Sequence, residues 1–148
     1  MSDFFRFEAD FVDSLRCIPM VVRMKLDTCG VKLKLHHWNQ LTSEERQTLV
    51  AMPCTTSAES EGYRDFLQHL VTQKTGAPAG ELAVDSPWMD ASTIPVNVQE
   101  KAAEYGAAVS LSQWAALTPL QRFALIKLSR PSHENANFLP ALKEFQLV

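Results

Sequence analysis

The chain lacks the motifs by which an enzyme site is most often identified in a sequence. Its 148 residues contain no GxSxG, no phosphate-binding P-loop and no GxGxxG turn, so a nucleophile elbow and the common nucleotide-binding loops are excluded. The three cysteines are odd in number and form no CxxC pair, which argues against a disulfide framework and a thiolate zinc site. We expect Cys17, Cys29 and Cys54 to be free, mostly buried thiols in a reducing compartment.

An excess of positive charge and a long apolar run are also missing. The net charge is −3, so no global positive field attracts nucleic acid or anionic lipid. The apolar runs CIPMVV and FALI are far shorter than the ~20 residues of a membrane-spanning helix. The N-terminus alternates charged and aromatic residues and therefore lacks the apolar core of a signal peptide. These absences predict a cytoplasmic protein with no membrane and no nucleic-acid partner.

What the chain does contain is a second copy of part of itself. Residues 18–50 align without a gap with residues 94–126 at a constant offset of 76, and eleven of the 33 positions are identical. The identical pairs include Gly30/Gly106, Trp38/Trp114, Thr42/Thr118 and Arg46/Arg122. We interpret the alignment as an internal duplication.

Each copy has the start and stop signals of three helices. Proline is the second residue of each copy, where it suits a first helical turn, and a glycine that can end a helix follows eleven residues later. Capping boxes then open the third helix of each copy, TSEE at 42–45 and TPLQ at 118–121. A further box, SLSQ at 110–113, opens the second helix of the later copy. The third helices are predicted at Ser43–Met52 and Pro119–Leu128.

One further helix follows each copy. TSAE at 56–59 opens the first, which carries an apolar stripe from Tyr63 to Val71 and stops at Gly76. Phe138, Ala141, Leu142 and Phe145 form the stripe of the second. Residues 76–93 have the composition of an irregular connector, in which a strand at LAV has no obvious partner. We therefore predict a single all-α domain, 1–148, with repeat unit one at 18–75 and repeat unit two at 94–146, packed as a pseudo-twofold pair.

The charged and metal-binding residue types form no catalytic pattern. His36 and His37 are adjacent and make a poor chelating pair, and the HExxH motif that His133 would begin fails because its last position is Asn137. The acidic pairs Glu8/Asp10 and Glu59/Glu61 have a spacing that does not face one another on a helix, so we expect solvated carboxylates. The sequence predicts no catalytic residue, no metal and no cofactor.

The tryptophans divide into two kinds. Trp38 and Trp114 occupy one duplicated position and are expected to anchor the core, with their N–H groups on local acceptors. Trp88 lies in the connector, outside the duplication. It is the best candidate for an exposed recognition aromatic, with packing over the core as the alternative.

The segment RPSHEN, 130–135, separates two apolar runs. Pro131 ends the preceding helix, and Ser132, Asn135 or Asn137 is expected to cap the last one. That structural role does not require Arg130, His133 or Glu134. These three residues form either an ion-paired brace between the two units or a binding rim for an anion or a peptide. The predicted binding residues are Arg130, His133, Glu134, Asn135 and Trp88.

Two blocks of the chain resemble a known family. FFRFEADFVDSLRCIPMVVRMKLD, near the start, and LTPLQRFALIKLSRPSHENANFLPAL, near the end, resemble the nitrate reductase-associated protein family of bacteria. The resemblance covers nearly the whole chain and is most specific at 4–30 and 117–142. The family takes its name from genes near those of nitrate reductase and of the molybdenum cofactor, so the resemblance implies a link to nitrate assimilation and brings no catalytic residue.

Two classes of function follow from these observations. The first is a non-catalytic accessory or regulatory protein that binds or assists a molybdenum-dependent nitrate reductase, with the reductase or a molybdenum-cofactor maturation protein as its partner. The second is a small cofactor- or metabolite-binding protein, or an enzyme, with its site near Arg130, His133 and Glu134. The sequence leaves the oligomeric state open.

Overall fold

The computed structural model describes residues 4–9, 15, 17–130 and 135–148. Within these residues the chain is mostly helical, and its only strands form a two-stranded sheet of two residues each. The chain divides into two compact units, Met1–Asp85 and Ser86–Val148. The predicted helical class is therefore confirmed, and the division between the units lies inside the predicted connector.

The described residues of the first unit form four helices and both strands. Its elements are a 3-10 turn at Arg6–Glu8, α1 (Met20–Cys29), β1 (Val31–Lys32), α2 (Leu35–Asn39), α3 (Ser43–Ala51), α4 (Ser57–Thr75) and β2 (Gly80–Glu81). Both predicted capping boxes of this unit form, because the side chains of Thr42 and Thr56 accept the N–H groups of Glu45 and Glu59. Helix α4 ends at Gly76 in the left-handed region, as predicted.

The small sheet corrects the prediction that the connector is irregular. Val31 pairs with Glu81 and Lys32 with Gly80 in antiparallel register, and the N–H of Leu82 donates to the carbonyl of Gly30 at 2.8 Å. A strand of two residues is too short to produce a detectable alternation of apolar and polar residues. The pairing therefore depends on packing that the local sequence does not reveal.

The core of the first unit surrounds Trp38, which is fully buried. Its indole N–H donates to the carbonyl of Leu15 at 2.7 Å, and the hydroxyl of Tyr63 donates to the carbonyl of Leu49 at 2.8 Å. The indole N–H of Trp38 and the hydroxyl of Tyr63 are therefore both buried with a hydrogen-bond acceptor. The predicted burial of Trp38 is confirmed.

Glu8 corrects the prediction of a solvated carboxylate. Only 1% of Glu8 is exposed, and its two oxygens accept the backbone N–H groups of Phe5 and Met20, each at 3.1 Å. Met20 is the first residue of α1, where the N–H groups have no partner within the helix. Proline occupies the N-cap position before it and makes no side-chain cap, so Glu8 supplies an acceptor to this helix terminus from the preceding segment.

The second unit contains the other four described helices. Its elements are a 3-10 turn at Pro87–Met89, α5 (Val96–Glu104), α6 (Leu111–Ala116), α7 (Pro119–Ser129), a 3-10 turn at Asn135–Asn137 and α8 (Phe138–Glu144). The capping boxes of α6 and α7 form as predicted, and the side chain of Trp114 is fully buried. The predicted apolar stripe of α8 is buried along its whole length. Tyr105, which follows the last residue of α5, is 40% exposed.

Corresponding helices of the two copies begin at the aligned positions. Helices α1, α2 and α3 start at residues 20, 35 and 43, and α5, α6 and α7 start at residues 96, 111 and 119. Gly30 and Gly106 both have positive φ, at 78° and 70°. Equal offsets of helix starts and of left-handed glycines are what a duplication predicts. The common origin of the copies and their pseudo-twofold packing stay predictions.

Candidate functional site

The second unit contains a buried arginine with three carbonyl acceptors. Arg122 is 5% exposed. Its Nε donates to the carbonyl of Trp88 at 2.7 Å, and one Nη donates to the carbonyls of Trp114 at 3.2 Å and Leu117 at 2.7 Å. The guanidinium thereby joins the end of α6 to the 3-10 turn at 87–89. A buried charge that donates from Nε and one Nη to three backbone carbonyls stabilises the fold.

Trp88 lies in this core and not on its surface. It is 4% exposed, and its ring packs edge-on against Phe123 with the ring centroids 5.0 Å apart. The packing alternative that the sequence left open is therefore confirmed, and the expectation of an exposed aromatic is wrong. The physical reason is the hydrogen bond between Arg122 and the carbonyl of Trp88, which lie 34 positions apart in the sequence. This bond holds the connector against α7.

Arg46, the duplicated counterpart of Arg122, makes the same kind of contact in the first unit. Its guanidinium donates to the carbonyls of Trp38 and Leu15 at 3.1 Å each and of Asn39 at 3.2 Å. In both units an arginine on the third helix therefore binds the end of the short tryptophan helix and a carbonyl further upstream. The sequence identified the pair only as an identity, and its role depends on the tertiary packing.

The segment 130–135 lies largely outside the described residues. Arg130 is exposed and directly follows α7, where its N–H donates to the carbonyl of Lys127 at 3.3 Å. The predicted binding residues His133 and Glu134 fall within 131–134, which the structure does not describe. Asn135 begins the 3-10 turn at Asn135–Asn137. The choice between brace and binding rim stays a prediction.

Asn137 corrects part of the capping prediction. It occupies the N-cap position of α8, but its side chain makes no cap hydrogen bond. Its backbone is helical, with φ −84° and ψ −1°, because the 3-10 turn runs directly into the helix. A side-chain cap requires an extended backbone at the N-cap, so the geometry at Asn137 does not allow one.

The first unit brings together two thiols that the sequence did not pair. Cys29 is the last residue of α1, and Cys54 lies just before α4. The two are 5% and 7% exposed, and each thiol perturbs the pKa of the other. Each sulfur also lies 3.7 Å from a carbonyl of α1, Cys29 from that of Leu26 and Cys54 from that of Lys25.

The surroundings of the two thiols differ in charge. The interaction with Cys29, together with smaller contributions from the Ser60 hydroxyl and the Lys25 ammonium, lowers the pKa of Cys54 to about 7, against the opposing effects of burial and of Glu59. The pKa of Cys29 is raised by its hydrogen bond with Cys54 and by burial. The carboxyl end of α1, where Cys29 lies, also disfavours a negative charge on its sulfur. Cys54 is therefore the more acidic of the two thiols.

Lys25 and Tyr63 complete this group. The Nζ of Lys25 donates to the carbonyl of Val50 at 2.6 Å and lies 5.8 Å from the centroid of the Tyr63 ring. Burial, followed by the charge of the two thiols, raises the pKa of Tyr63. The tyrosine stays neutral and donates to the carbonyl of Leu49.

Only folding could have revealed this thiol group. Cys29 ends α1 and Cys54 lies in the loop before α4, 25 positions later in the chain. CxxC spacing identifies a pair through local geometry, and this pair has none. The buried cysteines confirm the prediction of mostly buried, free thiols for Cys29 and Cys54.

One of the two adjacent histidines, His37, makes a local hydrogen bond. Nδ1 of His37 accepts the N–H of Lys34 at 3.1 Å, and partial burial, then His36 and Lys34, lower the pKa of His37.

Within the described ranges, no three side chains of His, Cys, Asp or Glu are grouped to hold a metal ion. No helix among the same residues has the length and the apolar character needed to cross a membrane.

The structure thus defines a mostly helical protein of two compact units, with an arginine–tryptophan core contact in each unit and a thiol pair in the first. The chain belongs to the conserved nitrate reductase-associated protein family, whose model matches residues 4–145. Comparison with curated proteins and with solved structures finds no match.

Proposed function

We propose that this protein is a non-catalytic accessory or regulatory partner of a molybdenum-dependent nitrate reductase and that it acts in the cytoplasm during nitrate assimilation. The observation that carries the proposal is the family match, which spans residues 4–145 and therefore both units. The partner is the reductase itself or a protein that matures its molybdenum cofactor.

The described geometry supports a binding role over a reaction. The buried Arg122 donates to three backbone carbonyls, and the buried Tyr63 donates to the carbonyl of Leu49. Polar groups that stabilise the fold in this way are not available to a substrate. Apolar side chains meanwhile reach solvent at the first residues of both tryptophan helices, Leu35 and Leu111, each 51% exposed, and such side chains suit contact with a protein partner.

The experiment uses the purified protein and the purified nitrate reductase of the same organism, the latter prepared with and without its molybdenum cofactor. We expect the protein to bind one of the two forms in a calorimetric or interferometric assay. In a strain lacking the gene, we expect reductase activity per molecule of reductase to fall and to return with the wild-type gene. Normal specific activity in that strain, together with no binding to either form, would contradict the proposal.

The molybdenum content of the reductase distinguishes a role in cofactor maturation from a role in regulating the finished enzyme. If the protein assists cofactor maturation, reductase from the deletion strain contains less molybdenum per molecule. If the protein regulates the finished enzyme, the molybdenum content is unchanged and the specific activity alone is altered. Both measurements are made on the same purified reductase.

A second function, the binding of a small anionic cofactor or metabolite, is favoured by the position of Arg130. Its side chain is exposed immediately after α7, and a guanidinium matches the geometry of carboxylate and phosphate groups. In this alternative His133 and Glu134 complete the site. Loss of ligand binding in an Arg130→Ala variant of unchanged stability is the outcome that supports it.

A further inference from the structure

We propose that Cys29 and Cys54 form a peroxide-sensitive dithiol site, at which a hydroperoxide converts the two thiols into an intramolecular disulfide. The proposal is independent of the nitrate reductase partnership. It rests on the burial of both thiols in one core and on the position of their sulfurs, each 3.7 Å from one of two consecutive carbonyls of α1, those of Leu26 and Lys25. The interaction between the two thiols and the nearby ammonium of Lys25 support it.

The geometry assigns a different part to each cysteine. Cys54 lies before the first turn of α4, with the hydroxyl of Ser60 and the ammonium of Lys25 as nearby groups that favour its thiolate. A thiolate in such surroundings is the nucleophile in reactions with peroxides. Cys29 is held as a thiol at the C-terminal end of α1, facing Cys54. Cys54 is therefore the residue that attacks, and Cys29 the one that resolves.

The reaction consumes one hydroperoxide and two thiols. The Cys54 thiolate attacks one oxygen of hydrogen peroxide, the O–O bond breaks, and hydroxide leaves and takes up a proton to become water. Cys54 is then a sulfenic acid. The sulfur of Cys29 attacks the sulfur of Cys54, an S–S bond forms, the S–O bond breaks, and the oxygen leaves with the proton of Cys29 as a second water. The two sulfurs lose two electrons and the peroxide gains them.

The disulfide would link two elements that are distant in sequence. Cys29 ends α1 and Cys54 precedes α4, so the bond closes a loop that contains β1, α2 and α3. A covalent link across such a loop restricts the unfolded chain and stabilises the folded state. Oxidation is therefore expected to raise the thermal midpoint of the first unit, and reduction by dithiothreitol to restore it.

The test uses the reduced full-length protein and hydrogen peroxide. After exposure, remaining thiols are alkylated under denaturing conditions and the protein is digested with trypsin. Lys32, Lys34 and Arg46 lie between the two cysteines, so Cys29 and Cys54 fall in separate peptides and a disulfide is detected as one cross-linked species. Cys17→Ser is the matched control, because it removes a cysteine outside the pair. We expect the same cross-linked species in the wild type and in this control, abolished by dithiothreitol.

The single variants test the order of the two steps. Cys29→Ser is expected to accumulate a sulfenic acid on Cys54, which dimedone traps, and Cys54→Ser to show none on Cys29. A dimedone adduct on Cys29 in Cys54→Ser would overturn the assigned order. Failure of the wild type and of Cys17→Ser to form the Cys29–Cys54 cross-link, or a cross-link that uses Cys17 instead, would overturn the proposal. These two proteins keep the test valid if a core serine prevents folding.

Discussion

The guanidinium of Arg122 donates from Nε to the carbonyl oxygen of Trp88 at 2.7 Å, and both residues are buried. One Nη of the same side chain donates to the carbonyls of Trp114 and Leu117 at the end of α6. The Arg122 side chain therefore links the 3-10 turn at 87–89 to α6 and to its own helix, α7. Arg46 makes the equivalent contacts in the first unit from a partly exposed position.

Removing these arginines is expected to destabilise the two units unequally. Arg122→Met should lower the free energy of unfolding by about 3 kcal/mol, because three buried carbonyls lose a charged donor. Arg46→Met should lower it by about 1–2 kcal/mol, because water can replace a donor that is partly exposed. Urea denaturation of both variants measures the difference. An Arg122→Met variant as stable as the wild type would show that desolvation of the guanidinium cancels its hydrogen bonds.

Both repeated tryptophans are expected to be essential for stability. Trp38 and Trp114 are 0% exposed, and their indoles donate to the carbonyls of Leu15 and Asp90. Replacing either with alanine should cost about 3–5 kcal/mol, the range for a large buried aromatic. Phenylalanine should cost less, because it keeps most of the packing and loses only the N–H donor. Chemical denaturation of the four variants tests this order, and equal losses for Phe and Ala would contradict it.

Gly30 is expected to tolerate alanine less well than Gly76 in the same unit. Both have positive φ, 78° and 87°, and the strain of a side chain there costs about 1–2 kcal/mol. A Cβ at Gly30 would also lie 3.0 Å from the carbonyl oxygen of Leu82 and 3.1 Å from Val84, whereas Gly76 has nothing within 4 Å. Gly30→Ala should therefore cost a further ~1–3 kcal/mol. Equal unfolding free energies of the two variants would show that Leu82 and Val84 move away from the added methyl group without an energetic cost.

Arg130 tests the choice between brace and binding rim. Its side chain is exposed, so if Arg130 forms an ion-paired brace, Arg130→Ala should lower the free energy of unfolding by no more than about 1 kcal/mol. If Arg130 and His133 form a binding rim, alanine at either position abolishes the partner or ligand signal while the midpoint stays constant. Lys143→Ala, which removes an exposed cation from α8, is the control. A brace would instead lower stability, with binding reduced only as far as folding.

Alkylation of Cys54 is expected to depend on pH around neutrality. The hydrogen bond from Cys29 lowers the pKa of Cys54 to about 7, so the rate with iodoacetamide should rise as the pH passes through about 7. The charged or titratable groups around it are Lys25, Glu59, Cys29 and Tyr63. Ser60→Ala removes a hydroxyl that stabilises the thiolate and should shift the midpoint of the rate profile upward. Ser57→Ala, at the exposed start of the same helix, should leave it unchanged, and equal profiles would contradict the role of Ser60.

The sequence by itself determined the helices and their boundaries. The capping boxes at Thr42, Thr56, Ser110 and Thr118 form as predicted, and Gly30, Gly76 and Gly106 adopt the left-handed conformation. Each of these signals acts over three or four neighbouring residues. Hydrogen bonds of that range form wherever the chain is helical, so they can be predicted without knowing what packs against the helix.

Only the tertiary structure decided which distant residues meet. Arg122 finds Trp88 across 34 residues, and Glu8 finds the N–H of Met20 across 12, which turned an expected surface aromatic and an expected solvated acid into buried groups. Cys29 and Cys54 meet in the same way. Such contacts depend on how whole helices pack, because the same local pattern permits many partners. The arginine–tryptophan contacts and the thiol pair therefore depend on tertiary packing. The helices on which they lie are determined by the caps, glycines and apolar stripes of the sequence.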